Sequence, residues 1–203
     1  HVLERGWSYL CIANGCTMAV NLRPADVLQS LREVHPTCMC AVPRFWEKVY
    51  AGVQERMEKS SPMQKLLLED ALRVGHAYNV DYKMKGITPP IGLRMQYSLY
   101  ENTIIAFLKK QLGLERANFF PTAGAAVPTV IEDFVRSAGL NMVVGYGLTE
   151  STATVSIDRL GMPISIGSVG RLLDGVEIKF GENDEILLKG KTITKGYYRK
   201  AEV

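Results

Sequence analysis

Short apolar segments of strand length alternate with amphipathic segments of helix length along most of the chain, and this alternation constrains the fold more than any other feature. The strand-like segments lie at 16–20, 38–42, 118–123 and 142–144. Apolar residues recur at helical spacing in the segments 3–13, 24–34, 45–57, 66–84, 99–112 and 129–138. Strands separated by helices pair in parallel through right-handed crossovers. The sequence therefore predicts an α/β fold with a parallel sheet over residues 1–160.

Two details of the helices are also predicted. Thr129 and Glu132 have the spacing of a capping box, in which each side chain bonds a backbone N–H at the start of the helix. In the helix at 99–112, the residues expected to face the core are Ile104, Phe107 and Leu108.

The residue pattern changes beyond about residue 161. The segments 176–180 and 185–189 alternate or run apolar, and glycines recur between them. Short strands separated by glycine-rich turns are typical of antiparallel hairpins. We therefore expect residues 161–203 to begin a small antiparallel β subdomain after the α/β layer.

Composition and charge exclude several classes of protein. The 24 basic and 21 acidic residues give a net charge of +3 without a charged run, so there is no electrostatic case for nucleic acid. No apolar stretch reaches the roughly 18 to 20 residues that span a bilayer. The four cysteines lack paired spacing and the three histidines are scattered, which argues against zinc and favours reduced thiols in a cytoplasmic protein. Peripheral contact with a membrane stays open.

Two loops rich in small residues follow predicted strands, which is where open parallel sheets bind ligands. The first loop is Thr122-Ala123-Gly124-Ala125-Ala126 and the second is Gly145-Tyr146-Gly147-Leu148-Thr149-Glu150. In the second loop the tyrosine ring can stack on a base, the threonine hydroxyl can bind a phosphate oxygen and the carboxylate can hold Mg²⁺. A tyrosine between glycines is also common in a turn with a packed ring, so the residue types alone leave both readings open.

As a string, GYGLTES at 145–151 resembles a signature loop of the adenylate-forming superfamily. The segment 122–127 resembles the small-residue loop of the same superfamily, which usually begins with serine, and the spacing between the two loops also matches. The segments 166–171, 185–190 and 195–198 resemble the connection to the small β subdomain and its strands. Asp184 stands where that family usually has glycine, which leaves the local turn geometry open.

Within the superfamily, His1–Arg5 and Ala41–Tyr50 resemble the long-chain fatty acyl-CoA synthetases. The resemblance implies that a fatty carboxylate attacks the α-phosphate of ATP to give an acyl-adenylate and pyrophosphate, and that the thiol of coenzyme A then attacks the adenylate. It therefore implies ATP/AMP, Mg²⁺, a fatty acid and coenzyme A as cofactors and partners.

The resemblance also implies roles for single residues. Tyr146 is assigned to adenine stacking, Thr149 to phosphate and Glu150 to Mg²⁺. Backbone at Gly145 and Gly147 is expected to approach the nucleotide. The wall of the adenine and acyl site is assigned to Thr122, Gly124, Ala125 and Ala126. His1 would lie near the reacting carboxylate, or be a terminal histidine without a role.

Three other interpretations remain open. An aryl-CoA ligase and a peptide-synthetase adenylation domain share the GYGLTE loop, and the chain could also be a non-catalytic folding fragment. By resemblance, the phosphate loop would precede His1, and the ribose-binding aspartate and catalytic lysine would follow Val203. The chain is therefore interpreted as an interior piece of the large N-terminal domain, and the isolated chain is expected to be inactive.

Overall fold

The structure is a computed structural model that describes residues 2–200. Over this range the α-helices are α1 Val2–Ala13, α2 Val27–Val34, α3 Pro43–Glu58, α4 Pro62–His76, α5 Ile91–Tyr100, α6 Ala106–Leu112 and α7 Thr129–Ser137. A π-helical turn at Glu101–Ile105 joins α5 to α6, and a second one at Ala77–Tyr82 follows α4. Single 3₁₀ turns lie at Pro24–Asp26, Lys83–Lys85, Thr149–Ser151 and Glu182–Asp184.

The strands form two sheets. Their bounds are β1 Phe120–Thr122, β2 Met142–Tyr146, β3 Ser156–Ile157, β4 Arg171–Leu172, β5 Val176–Phe180 and β6 Ile186–Gly190. In the first sheet, of order β1-β2-β3-β4, β1 and β2 are parallel while β3 and β4 add in antiparallel fashion. The second sheet is the antiparallel hairpin β5-β6. The predicted α/β fold is confirmed, with helix α7 connecting the parallel pair and a β hairpin following.

The main core lies where α3 and α7 pack against the parallel pair. Trp46 and Phe120 are fully buried there, with ring centroids 5.1 Å apart in an edge-to-face arrangement. Pro43 occupies the first turn of α3, where its missing N–H costs no helical hydrogen bond. The Trp46 indole N–H donates to Thr122 Oγ1 at 3.0 Å, so the buried ring has its polar atom satisfied.

Two strand predictions differ from the structure. The prediction of a strand at 16–20 is wrong, because these residues are exposed and irregular, and none of them pairs with a described strand. A strand forms only when another strand satisfies its backbone, and apolar content alone does not supply that partner. The segment at 38–42, predicted as a strand, forms no continuous strand. It makes two isolated parallel bridges instead, Cys38 with Phe119 and Ala41 with Thr122.

Two helix predictions also need correction. The helix expected from Leu99 begins at Ile91, and Phe107, expected to face the core, is 57% exposed. The prediction of a capping box at Thr129 and Glu132 is wrong, because Pro128 is the N-cap residue and no side chain caps helix α7. Glu132 is instead buried in ion pairs and hydrogen bonds described below.

The turn between β5 and β6 explains how aspartate replaces the expected glycine. Asp184 has a φ of 60° and Asn183 a φ of 56°, so both lie in the left-handed region. Aspartate and asparagine adopt this conformation more readily than other side chains do. No described helix is long and apolar enough to cross a membrane.

Candidate functional site

The two small-residue loops leave the same edge of the first sheet. Strand β1 ends at Thr122 and β2 ends at Tyr146, and Thr122 lies opposite Val144 in the parallel register. Because parallel strands point the same way, the loops that follow them meet at one edge, outside the carboxyl ends of the strands. The structure therefore brings the two predicted loops to the same edge of the sheet.

The first loop begins inside the protein and ends on its surface. Thr122 is 1% exposed, and its hydroxyl accepts from Trp46 and donates to the carbonyl oxygen of Phe120 at 3.2 Å. Gly124, with a φ of 97°, and the next two residues, Ala125 and Ala126, are exposed. The Thr122 hydroxyl thus anchors the loop, while Gly124, Ala125 and Ala126 present backbone and methyl groups at the surface.

The second loop has no space for a side chain at Gly147. A Cβ atom there would lie 1.4 Å from the carbonyl oxygen of Ala153, well inside van der Waals contact. The loop folds back on itself at this point: the Val155 N–H donates to the Tyr146 carbonyl at 2.8 Å, and the Ala153 N–H donates to the Leu148 carbonyl at 3.1 Å. Glycine at 147 is therefore a requirement of the close backbone approach.

The return of this loop carries backbone strain. Thr152 and Ala153 have φ values of 55° and 83°, in a region that β-branched and alanine residues rarely occupy. The buried Ser151 hydroxyl supports the turn, because it accepts from the Leu148 N–H at 2.9 Å. Non-glycine residues at positive φ cluster at functional sites, which fits the position of this pair.

The three side chains assigned to the nucleotide lie together on the second loop. Tyr146 and Glu150 are half-buried, and Thr149 is exposed. Glu150 Oε1 accepts a hydrogen bond from the Tyr197 hydroxyl. This bond lowers the pKa of Glu150 below its usual value and raises the pKa of Tyr197, so the pair consists of a carboxylate and a phenol.

The chemistry of this donor set fits Mg²⁺. Magnesium is usually held by one or two carboxylates together with phosphate oxygens and waters, so one carboxylate on the loop suffices. Among residues 2–200, no group of three His, Cys, Asp or Glu side chains could enclose a metal. A cation here would therefore be held by Glu150 and by the phosphates of a nucleotide.

A buried ion cluster behind the loops could not be identified from the sequence. Arg136 pairs with Glu132 at 2.7 Å and with Asp158 at 2.8 Å, and all three side chains are buried. Arg136 also donates to the Met142 carbonyl at 3.0 Å, and Asp158 accepts from the Val144 N–H at 3.0 Å. The cluster thereby fixes strand β2, which leads into the second loop. The only sequence signal for it is the pair of opposite charges four residues apart on α7.

Two other features bear on the predicted site. His1 lies outside the described residues, so its position near a carboxylate stays a prediction. A cavity of about 300 Å³ lies between α3, α4 and α7, lined by residues that include Tyr50, His76 and Phe134. None of the residues lining it comes from the two loops, so the cavity is not part of this site.

Parallel strands followed by loops at their carboxyl edge are the arrangement in which open α/β proteins bind ligands. Residues 1–198 match the family described as AMP-binding enzyme. The chain therefore belongs to the AMP-binding enzyme family.

Relatives with curated names include long-chain acyl-CoA synthetases. Long chain acyl-CoA synthetase 4 of Arabidopsis thaliana is 27% identical over 224 residues, which covers 100% of this chain and 31% of that protein. Long-chain-fatty-acid–CoA ligase FadD15 of Mycobacterium tuberculosis is 24% identical, covering 100% of this chain and 33% of that protein. The chain thus spans about a third of the length of the relatives it matches.

A solved structure shares the fold. O-succinylbenzoate CoA synthetase from Bacillus subtilis, in complex with an acyl-adenylate intermediate, matches with a TM-score of 0.56 at 15% identity. The match covers 100% of this chain and 32% of that one. At this identity the likeness establishes the fold and not the substrate.

Proposed function

We propose that this chain is part of an AMP-forming long-chain fatty acyl-CoA synthetase, in which it supplies one side of the adenylate site. The observation that carries the proposal is the second loop, where Tyr146, Thr149 and Glu150 stand on a backbone that Gly147 and Ser151 fold into a tight turn. Membership of the AMP-binding family supports the nucleotide. The resemblance at His1–Arg5 and Ala41–Tyr50, together with the named relatives, supports the fatty acid.

The residues of the two loops divide the work of the first reaction step. Tyr146 stacks on the adenine, and the exposed small residues at 124–126 let the nucleotide and the acyl carboxylate lie close to the backbone. Thr149 donates its hydroxyl to a phosphate oxygen, and Glu150 holds the cation. Mg²⁺ held by Glu150 would supply neutralisation of the charge that develops on the phosphates as the carboxylate attacks. The reaction then depends on positioning and charge stabilisation, without a protein nucleophile.

The assignment of Glu150 is tested in the full-length enzyme by Glu150→Gln, which keeps the shape of the side chain and removes its charge. We expect pyrophosphate release to fall by about 10²- to 10³-fold, as for the loss of one charge-stabilising group. Glu177→Gln is the matched control, because Glu177 is exposed on strand β5 and forms its ion pair with Lys189, which is also exposed. Pyrophosphate release at the wild-type rate in Glu150→Gln at saturating Mg²⁺ would show that the assignment is wrong.

The substrate class is tested separately, by competition of palmitate, octanoate, acetate and benzoate at equal concentration in the full-length enzyme. Each methylene buried in an acyl channel contributes about 0.8 kcal/mol, so a long chain is expected to have a higher kcat/KM than acetate. A higher kcat/KM for benzoate than for both fatty acids would favour an aryl-CoA ligase, the second candidate. Failure of AMP or an acyl-adenylate analogue to bind the full-length enzyme would instead favour a protein without catalytic function.

A further inference from the structure

We propose that Tyr197 is a positioning residue for Glu150, which orients the carboxylate that holds the cation. The inference rests on the proposed function of Glu150. It adds a residue that lies outside the GYGLTES loop at 145–151. The bond from the Tyr197 hydroxyl to Glu150 Oε1 links the second loop to the segment that follows strand β6.

The contact is one of three between the same two segments. The Thr194 N–H donates to the backbone carbonyl of Glu150 at 2.7 Å. The Thr152 hydroxyl donates to the backbone carbonyl of Thr192 at 2.6 Å. Residues 192–197 therefore bind the backbone carbonyl of Glu150 and the side chain of Thr152, two residues further on, as well as the Glu150 carboxylate itself. A single surface hydrogen bond would orient the Glu150 side chain far less than these three bonds together.

The geometry leaves Glu150 able to bind a cation. A carboxylate offers lone pairs on two oxygens, and the phenol occupies one site on Oε1. The backbone N–H of Glu150 itself also bonds the carboxylate, and the lone pairs that remain can face a cation. Ligands of a metal are commonly oriented by a second hydrogen-bonding partner, and loss of that partner typically lowers metal affinity by about 10- to 100-fold.

The chain contains a matched control in the next residue. Tyr198 is 86% exposed, and its ring lies against the Arg199 guanidinium at 5.1 Å. No hydrogen bond joins its hydroxyl to the second loop among residues 2–200. Tyr197→Phe and Tyr198→Phe thus remove the same atom from neighbouring residues, and only the first removes a contact with Glu150.

The experiment measures Mn²⁺ affinity by electron paramagnetic resonance in the full-length enzyme with a non-hydrolysable ATP analogue. We expect Tyr197→Phe to weaken Mn²⁺ binding by about 10-fold and Tyr198→Phe to leave it unchanged. In pyrophosphate release, Tyr197→Phe should raise the Mg²⁺ concentration for half-maximal rate by a similar factor, while the rate at saturating Mg²⁺ changes less. Unaltered melting temperatures establish that the variants are folded.

Two further variants make the outcome decisive. Because Tyr197 acts through Glu150, the double variant Glu150→Gln with Tyr197→Phe should bind Mn²⁺ no more weakly than Glu150→Gln alone. Wild-type Mn²⁺ affinity in Tyr197→Phe, beside weakened affinity in Glu150→Gln, would overturn the role of Tyr197 alone. Wild-type affinity in Glu150→Gln would overturn both this inference and the metal assignment on which it rests.

Discussion

At the scale of single residues, the second loop depends on backbone positions that exclude a side chain. The backbone at Gly147 lies so close to the carbonyl of Ala153 that even a methyl group on Gly147 would overlap this carbonyl. The turn that brings the chain back to Gly147 passes through Thr152 and Ala153, which have strained backbone angles. This turn sets the relative positions of Tyr146, Thr149 and Glu150, so the nucleotide contacts proposed for these three side chains depend on its geometry.

Gly147→Ala should therefore weaken nucleotide binding in the full-length enzyme, because the loop must open to admit the methyl group. We expect the affinity for AMP, measured by calorimetric titration, to fall by at least 10-fold, and the free energy of unfolding to fall by about 1 to 3 kcal/mol. Gly52→Ala is the control: nothing lies within 4 Å of the added methyl group inside helix α3, and alanine there should stabilise by about 0.5 to 1 kcal/mol. Equal AMP affinity in Gly147→Ala and in the wild type would show that nucleotide binding does not depend on this tight turn.

The sequence predicted which residues of the second loop would lie together, because they are adjacent along the chain. It did not predict their partners. Tyr197 is 47 residues from Glu150, and Trp46 is 76 residues from Thr122, so only the tertiary fold brings them into contact. The interior position of the Thr122 hydroxyl follows from the same long-range packing.

At the scale of elements, helix α7 and strand β2 are joined by buried charges as well as by apolar contacts. Arg136 lies between the carboxylates of Glu132 and Asp158, and Glu132 also accepts from the Gly167 N–H at 2.9 Å. The cluster thus ties the helix to the sheet and to the segment leading to β4. Burial of these groups is tolerable only while each carboxylate keeps its partners.

Arg136→Met should leave two buried carboxylates without a cation and lower the free energy of unfolding by about 3 to 5 kcal/mol, measured by urea denaturation of the full-length enzyme. Arg23→Met removes an exposed arginine that pairs with Asp26 at 2.7 Å, and it should cost less than about 1 kcal/mol. A similar, small loss of stability in both variants would show that the buried cluster contributes little.

Elements with strong periodicity were predicted well, and those that need a distant partner were not. The strands at 142–144 and 176–180 were predicted, and the first extends to Tyr146 through the loop glycine. The apolar segment at 16–20 was expected to pair and is exposed, while Glu132 was expected to cap a helix and is buried. In both cases the residue types suit the predicted structure, but the structure that forms depends on the residues that the fold places beside them.

At the scale of the whole molecule, the described chain presents its candidate site to solvent. Gly124, Ala125, Ala126 and Thr149 are exposed, and Glu150 is half-buried. Interactions between charges are weak in water and become strong only where water is excluded. The chain spans about a third of the length of its relatives, so the groups that would cover this site in a complete enzyme are to be sought in the other two thirds.

The isolated 203-residue chain should therefore form no acyl-CoA from ATP, palmitate and coenzyme A, even when it is folded. Even with a nucleotide at its loops, an open site leaves the phosphates and the attacking carboxylate with their water shells. The transition state then gains little over the reaction in solution. The measurement is acyl-CoA formation by mass spectrometry, with pyrophosphate release as a second readout, the full-length enzyme as positive control and circular dichroism to establish folding. Turnover of the isolated chain above a no-protein reaction would show that residues 1–203 contain a complete catalytic site, and that the division of the adenylate site between this chain and the rest of the enzyme is wrong.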